Sequence, residues 1–265
     1  MSPMNPTSPT VAAAPPTRAE TCVIACAEAW RGDGEVLAAA MGTCAVLGAR
    51  LARLTFEPGL LTTDGGALLT REPLPLGRPR TRAAPSTDPA DASAEGWLPF
   101  RDHLWLVLHG RRHVMMGAAQ LDRHGRSNIS CIGDWSKPTA QLLGARGAPG
   151  NTMCSTTSYW IPRHTRRVFV DKVDMVSGVA ATDAHDLRRV VTDLGVLDVN
   201  GPGRTLQLVS LHPGVTVEEV CDNTGFDLHI PGNGVRTTRR PTAHELHLLR
   251  DVLDPEGLRA REVPS

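Results

Sequence analysis

Apolar residues recur at helical spacing in several parts of the chain. The first such segment, residues 19–31, is followed by a Gly-Asp-Gly sequence that would end a helix. A second predicted helix covers residues 43–55, with Thr43 as its N-cap. A last helix begins at Thr242, where Glu245 three residues later completes a capping box.

Runs of β-branched and apolar residues predict strands between these helices. The predicted strands are residues 35–39, 60–63, 113–117, 128–131, 167–171, 189–199 and 205–211, and one further short helix is predicted over residues 216–223. Because strands alternate with helices, we expect an α/β fold with an open, mostly parallel sheet and flanking helices. The helices are few for this number of strands, so some strands are expected to pair antiparallel.

Two segments lack periodicity. Residues 1–18 are rich in Pro, Ser, Thr and Ala, and they are predicted to be a disordered N-terminal extension to a domain over residues 19–265. Residues 71–96 are dense in Pro, Ala, Arg and Asp. A loop of that length in a compact domain is either functional or mobile.

Composition excludes several classes of function. Lys plus Arg and Asp plus Glu both number 28, so no basic field exists to attract nucleic acid or an anionic membrane. The longest apolar runs are far too short to cross a membrane, and no secretory signal is evident, so a cytoplasmic location is expected. The six cysteines form no metal-binding spacing and are interpreted as buried apolar residues.

Three blocks of sequence resemble one protein family. Residues 110–128 (GRRHVMMGAAQLDRHGRSN) are similar to a block of class I CoA-transferase β subunits. Residues 189–199 together with 205–228 resemble the C-terminal signature of those subunits, and residues 61–66 (LTTDGG) occupy the place of their Ser-Glu-Asn-Gly turn. The resemblance runs from about residue 19 to residue 262.

The resemblance implies a class I CoA-transferase-like (sugar-isomerase-like) fold and an enzyme that handles acyl-CoA thioesters. It also implies a CoA-transferase-like α subunit as partner, in a hetero-oligomer of the α2β2 type. Coenzyme A would enter as part of the substrate, with no permanently bound cofactor and no metal. Residues 49–56, 111–113, 146–152 and 157–160 are similar to a subgroup of CoA-ester hydrolases that open a ring in steroid catabolism, where the resemblance places the catalytic glutamate on the α subunit.

Asp64 stands where the transferases carry their nucleophilic glutamate. Its carboxylate is shorter by one carbon–carbon bond, roughly 1.5 Å. Since nucleophilic attack depends on a separation of about 3–3.5 Å between the reacting atoms, the shorter side chain disfavours the usual covalent route. Asp64 is therefore interpreted either as a structural turn residue before Gly65 and Gly66 or as a catalytic or substrate-contacting residue.

The glycine-rich segment 144–151 (GARGAPGN) is the strongest candidate for a functional loop. The resemblance implies that backbone N–H groups from Gly147 to Asn151 face the thioester oxygen. Gly150 would allow close approach to a ligand and Asn151 would add a donor. The alternative is an ordinary turn in which Asn151 caps a helix over residues 152–158.

Three further residues are candidates for substrate or CoA binding. Arg146 could bind a phosphate or carboxylate through its guanidinium. Gln120 and Asn128 could donate to substrate, or they could satisfy buried backbone groups instead. No catalytic motif accompanies five of the histidines (His113, His124, His164, His212 and His229), and each is interpreted as structural.

Two other functions remain open from the sequence. The first is true CoA transfer between 3-oxoacids or dicarboxylic acids. The second is a non-catalytic scaffold subunit that completes the pocket of its partner.

Overall fold

A seven-stranded mixed sheet forms the centre of the chain in a computed structural model that describes residues 14–63, 68–77 and 94–264. Its strands are β1 (Leu37–Ala40), β5 (Arg112–Met116), β10 (Thr156–Ile161), β11 (Leu187–Thr192), β12 (Gly195–Gly201), β13 (Thr205–Leu211) and β14 (Arg236–Thr237), in that spatial order. Strands β1, β5, β10 and β11 are parallel, and β12 pairs antiparallel with both β11 and β13. The prediction of a mostly parallel sheet with some antiparallel pairing is confirmed.

Shorter strands form three small sheets beside the central one. They are β2 (Thr62–Thr63), β3 (Leu68–Thr70) and β4 (Ala94–Trp97) in one sheet, β6 (Gln120–Leu121) with β7 (Ser127–Asn128), and β8 (Cys131–Ile132) with β9 (Ala140–Gln141). The predicted strand over residues 128–131 is thus divided between two hairpins.

Helices pack on both faces of the central sheet. They are α1 (Arg18–Glu28), α2 (Thr43–Thr55), α3 (Phe100–His109), α4 (Ala148–Cys154), α5 (Val217–Asp222), α6 (Ala243–His247), which continues into a π-helical turn (Leu248–Leu253), and α7 (Arg259–Glu262). One core contains α1 and α2 with Trp30 and Trp160. The other contains Tyr159, Phe169 and the α4 residue Ala148. The sheet therefore separates α2 from α4.

The first helix begins earlier than the sequence pattern indicated. Thr17 is the N-cap of α1, and its side chain and that of Glu20 form a reciprocal capping box. Thr17 and Arg18 thus belong to the folded part, although both lie within the predicted extension; residues 1–13 of that prediction lie outside the described residues. Arg250 and Arg259 donate to the Glu20 carboxylate, so the N-terminal helix is held by the C-terminal part of the chain.

The prediction that Thr43 caps α2 is wrong. The N-cap is Gly42, whose φ is 103° and which has no side chain with which to cap. The Glu262 carboxylate accepts hydrogen bonds from the backbone N–H groups of Thr43 (3.1 Å) and Cys44 (2.7 Å) instead. A carboxylate distant in sequence satisfies the first turn, which local spacing could not reveal.

Residues 167–171, predicted as a strand, are not one. The N–H groups of Val168 and Phe169 both donate to the carbonyl of Thr165 in a turn, and Phe169 makes only an isolated bridge to Leu121. Phe169 is buried and its ring stacks on His164 at 3.9 Å between centroids. This apolar segment is therefore buried as part of a turn. Hydrophobic periodicity alone does not distinguish such a segment from a strand.

Candidate active site

The glycine-rich segment ends in a helix. Arg146 has a positive φ of 47°, Gly147 is the N-cap of α4, and the helix starts at Ala148. Gly150 and Asn151 thus lie in the first turn of α4, so the prediction that residues 144–151 form a loop is wrong at its end. The alternative, in which Asn151 caps a helix over residues 152–158, is wrong as well.

The Asn151 side chain is buried, with 3% of its surface exposed. Its Oδ1 accepts a hydrogen bond from Arg112 Nη1 at 3.2 Å, and its Nδ2 lies 3.8 Å from Met116 Sδ. Its carbonyl accepts from Thr157 Oγ1 at 3.1 Å. Asn151 therefore fixes α4 against strands β5 and β10.

Gly150 packs closely against α3. A Cβ added to Gly150 would lie 2.6 Å from Val107 Cγ1 and 3.5 Å from Leu108 Cδ2. The absence of a side chain lets the two helices pack. On the side of α3, Gly150 therefore faces side chains of the protein itself. The Gly150 N–H makes no hydrogen bond to another described residue and lies in the first turn, where no intrahelical acceptor is available.

Arg146 is exposed next to this turn. Within the part of the chain that the structure describes, its guanidinium has no hydrogen-bond or ion-pair partner. Gly147 has ordinary space around it, with Asn151 Nδ2 3.6 Å from the position of an added Cβ. The segment at the start of α4 thus carries an unpaired cation at residue 146 and an unpaired backbone donor at residue 150.

Gln120 and Asn128 form a buried network. Asn128 Nδ2 donates to Gln120 Oε1 at 2.7 Å and to the carbonyl of Cys131 at 2.6 Å, so both of its donors are used. Gln120 Nε2 donates to Asp174 Oδ2 at 3.0 Å, and Gln120 Oε1 also accepts from the Asp174 N–H. These bonds match the structural alternative, since they join hairpin β6–β7 to the segment around Asp174.

Asp64 lies outside the described residues, as do Gly65 and Gly66. The described chain stops at Thr63, the end of β2, and resumes at Leu68, the start of β3. Strands β2 and β3 pair antiparallel, with Thr63 opposite Leu69. The role of Asp64 stays a prediction.

An array of buried His113 and Ser158 with the Asp33 carboxylate and the partly exposed Arg188 was not foreseen. His113 Nδ1 lies 2.7 Å from Asp33 Oδ2, and His113 Nε2 lies 2.9 Å from Ser158 Oγ. Arg188 pairs with the other oxygen of Asp33. No local motif signals this array, because its members lie on strands and a loop that only the fold brings together.

The hydrogen bonds of the array follow the order of a catalytic triad, but its burial and its position in the sheet differ from those of an active site. His113 and Ser158 are both fully buried. His113 is the second residue of β5, at the amino end of the parallel strands, whereas ligands of such sheets bind beyond the carboxyl ends. Burial lowers the pKa of His113 despite the nearby Asp33 carboxylate. We therefore interpret the array as structural.

Two further histidines are buried around Thr192. His164 Nδ1 lies 3.2 Å from Thr192 Oγ1, and His212 Nε2 lies 2.9 Å from the Thr192 carbonyl. Burial lowers the pKa of His164 to about 3 and that of His212 to about 4. Both imidazoles are consequently neutral in the folded protein near pH 7.

Among residues 14–63, 68–77 and 94–264, no group of three or more His, Cys, Asp or Glu side chains could hold a metal ion. None of the helices in these ranges is both long and apolar enough to cross a membrane.

Comparison with known proteins places the chain in a family. The coenzyme A transferase family matches residues 107–223. The chain is 50% identical over 257 residues to the cholesterol ring-cleaving hydrolase IpdB subunit of Rhodococcus jostii RHA1, covering 93% of this chain and 96% of that protein. It is 33% identical over 216 residues to a 3-oxoadipate CoA-transferase subunit from Pseudomonas knackmussii, covering 76% of this chain and 80% of the relative.

A solved structure shows the same similarity. The fold matches the crystal structure of Rhodococcus jostii RHA1 IpdAB with a TM-score of 0.85 and 49% identity, over 94% of this chain and 99% of that one. This match and the two relatives extend along most of the sequence. The chain belongs to the coenzyme A transferase family.

Proposed function

We propose that this chain is the β-type subunit of a two-subunit CoA-thioester hydrolase that cleaves a carbon–carbon bond in a ring of a steroid catabolite. The observation that carries the proposal is the 50% identity, over 93% of the chain, to a cholesterol ring-cleaving hydrolase subunit. The similarity to a CoA-transferase subunit is lower, at 33%. Transfer of CoA between acids is therefore the second candidate.

We assign to this chain the role of oxyanion donor. The start of α4 offers the free Gly150 N–H at a helix N-terminus, beside the exposed guanidinium of Arg146. Such a donor stabilises the negative charge that develops on a thioester oxygen or an enolate. The buried side chain of Asn151 acts on this turn indirectly, by holding α4 against β5.

The reactive carboxylate is proposed to come from the α-type partner. Hydrolytic cleavage needs a general base for water, and a glutamate on the partner would supply it. In this proposal Asp64 is a turn residue, and the Gln120–Asn128 network shapes the adjoining hairpin without contacting substrate.

Exposed apolar residues around α3 and α4 support a partner at this face. Trp97, Trp105, Leu108 and Met153 have 70%, 67%, 54% and 52% of their surfaces exposed. Large apolar side chains that are this exposed support the proposal that a partner covers them. An α2β2 assembly is proposed from the resemblance to two-subunit CoA-transferases. The six cysteines are free thiols, which suits the reducing cytoplasm that we propose as its location.

The test is hydrolysis by the co-purified α–β complex in water enriched in ¹⁸O. A hydrolase incorporates the heavy oxygen into a product carboxylate, and no covalent CoA adduct forms on either chain. A transferase gives a CoA adduct that borohydride or hydroxylamine traps, and it requires an acceptor acid. Normal turnover after Gly150 and Asn151 are both replaced would favour the scaffold function.

A further inference from the structure

Arg112, the first residue of β5, points toward α4. Residues two apart in a strand face the same side of a sheet, so Arg112 shares its face with Val114 and Met116, which pack in one core with Ala148 of α4. The guanidinium reaches the buried Asn151 side chain, with Nη1 3.2 Å from Oδ1. A half-buried cation therefore contacts the residue that follows Gly150 in the chain.

The Arg112 charge has no carboxylate partner among residues 14–63, 68–77 and 94–264. The bond to the neutral amide of Asn151 is the one hydrogen bond that its guanidinium makes within these ranges. Burial lowers the pKa of this guanidinium. A desolvated cation without a carboxylate costs free energy of folding, so stability alone does not account for the arrangement.

Other arginines of this chain that are removed from water have carboxylate partners. Nη2 of the buried Arg53 pairs with Glu95 Oε1 at 2.8 Å. Arg259 contacts two carboxylates, each at 2.8 Å. Aspartate has nearly the same shape as asparagine, so an Asp at position 151 would give Arg112 such a partner. The neutral Asn151 satisfies one donor of the guanidinium and leaves its charge uncompensated.

The first turn of α4 adds to this positive charge. The N-terminus of a helix carries a partial positive charge, which acidic residues often offset. The first turns of α1, α5 and α6 each contain a glutamate, whereas the first turn of α4 contains no acidic residue. The exposed Arg146 precedes this turn. The Gly150 N–H therefore belongs to a segment of uncompensated positive charge.

We infer that Arg112 supplies a fixed positive charge that stabilises the negative charge developing on a substrate oxygen at the Gly150 N–H. Arg112 does not touch that oxygen; it acts through its charge and through the Asn151 amide that it orients. A fixed cation in a site with little water stabilises such a transition state without having to reorganise. The inference rests on the proposed function, and it applies equally to hydrolysis and to CoA transfer, since an oxyanion or enolate forms in both.

The variants Asn151→Asp and Asn151→Ala, compared in the α–β complex, test the inference. Aspartate can accept from Arg112 and alanine cannot, so the free energy of unfolding should be higher for Asn151→Asp. Turnover of the CoA ester of a steroid catabolite should follow the opposite order. The kcat of Asn151→Asp should be at least about tenfold below that of Asn151→Ala, because its carboxylate opposes the developing negative charge. KM should change by less than about threefold, since that charge forms only after binding.

Substitutions of Arg112 itself provide the second test. Arg112→Lys keeps a positive charge and a donor for Asn151, so its kcat should stay within about fivefold of wild type. Arg112→Met has a similar length and no charge, so its kcat should fall by at least about tenfold. The control Arg236→Met, at an exposed position on β14, should leave kcat unchanged.

A kcat of Asn151→Asp equal to or above that of Asn151→Ala would overturn the inference, and this comparison stands even if Arg112→Met does not fold. Equal kcat values for Arg112→Met and Arg112→Lys would overturn it as well. A measurement without turnover tests the charge: Asn151→Asp should stabilise the complex more with Arg112 present than in the Arg112→Met background. Equal effects in both backgrounds would contradict the inference even in a complex that hydrolyses acyl-CoA. Failure of the ¹⁸O experiment, by contrast, would contradict hydrolysis alone.

Discussion

At the residue scale, the Asp33–His113–Ser158 array poses the sharpest question, because its connectivity suggests catalysis and its burial does not. Burial alone raises the pKa of Asp33, but hydrogen bonds and charges from His113 and Arg188 hold that pKa below its ordinary value. The aspartate is thus an ionised centre that ties β5, β10 and β11 together at their amino ends.

The substitution Ser158→Ala separates the two interpretations. It removes one buried hydrogen bond, so the free energy of unfolding should fall by about 1 kcal/mol. The turnover number of the assembled enzyme should stay within about twofold of wild type. Loss of turnover by several orders of magnitude, with assembly intact, would identify Ser158 as a nucleophile and contradict the structural interpretation.

The buried histidines predict an acid-sensitive fold. The pKa of His212 is about 4 in the folded protein and 6.5 in its ordinary state, so the unfolded chain binds the proton first as pH falls. Its stabilising contribution is complete above pH 6.5 and is lost between pH 6.5 and about 4, at up to about 1.4 kcal/mol per pH unit.

The variant His212→Gln checks this effect. Its free energy of unfolding in urea should fall less steeply than that of wild type between pH 6.5 and 4.5. A matched control is His247→Gln, because His247 is exposed and, among the described residues, pairs with exposed Asp251. Identical slopes for wild type and His212→Gln would show that His212 is not held neutral.

At the element scale, the packing of α3 against α4 determines the position of the Gly150 N–H, which is the proposed oxyanion donor. Gly150→Ala would place a methyl group against the stiff side chain of Val107, whose Cγ1 would be 2.6 Å away. Overpacking of this kind costs about 1–3 kcal/mol of stability and displaces the first turn of α4. Turnover should therefore fall together with stability.

A double variant distinguishes crowding from a direct need for glycine. Val107→Ala in the Gly150→Ala background removes the obstructing methyl groups, so it should restore most of the lost stability and activity. The single Val107→Ala variant serves as the control. If the double variant is no better than Gly150→Ala, the glycine is required for approach of a ligand and not for helix packing.

Elements with local signals could be predicted from the sequence, and those without could not. The capping box of Thr242 and Glu245 was predicted correctly, because both partners are three residues apart. The cap of α2 by Glu262 was not, since its donor and acceptor are 218 or 219 residues apart. Tertiary partners of this kind leave no trace in local spacing.

At the scale of the whole molecule, the sheet topology followed from the pattern of strands and helices, but the conformation of the glycine-rich segment did not. Sequence reasoning placed Gly150 and Asn151 in a ligand-facing loop, and the structure places them in a helix against α3 and β5.

The central claim also belongs to the scale of the whole molecule. It states that this chain provides hydrogen-bond donors while a partner chain provides the reactive carboxylate. The most direct measurement is the mass of the peptide containing Asp64 after the complex is incubated with acyl-CoA and borohydride. The account predicts an unmodified carboxylate at Asp64. An Asp64 side chain reduced to the alcohol, which requires a preceding thioester with CoA, would contradict it.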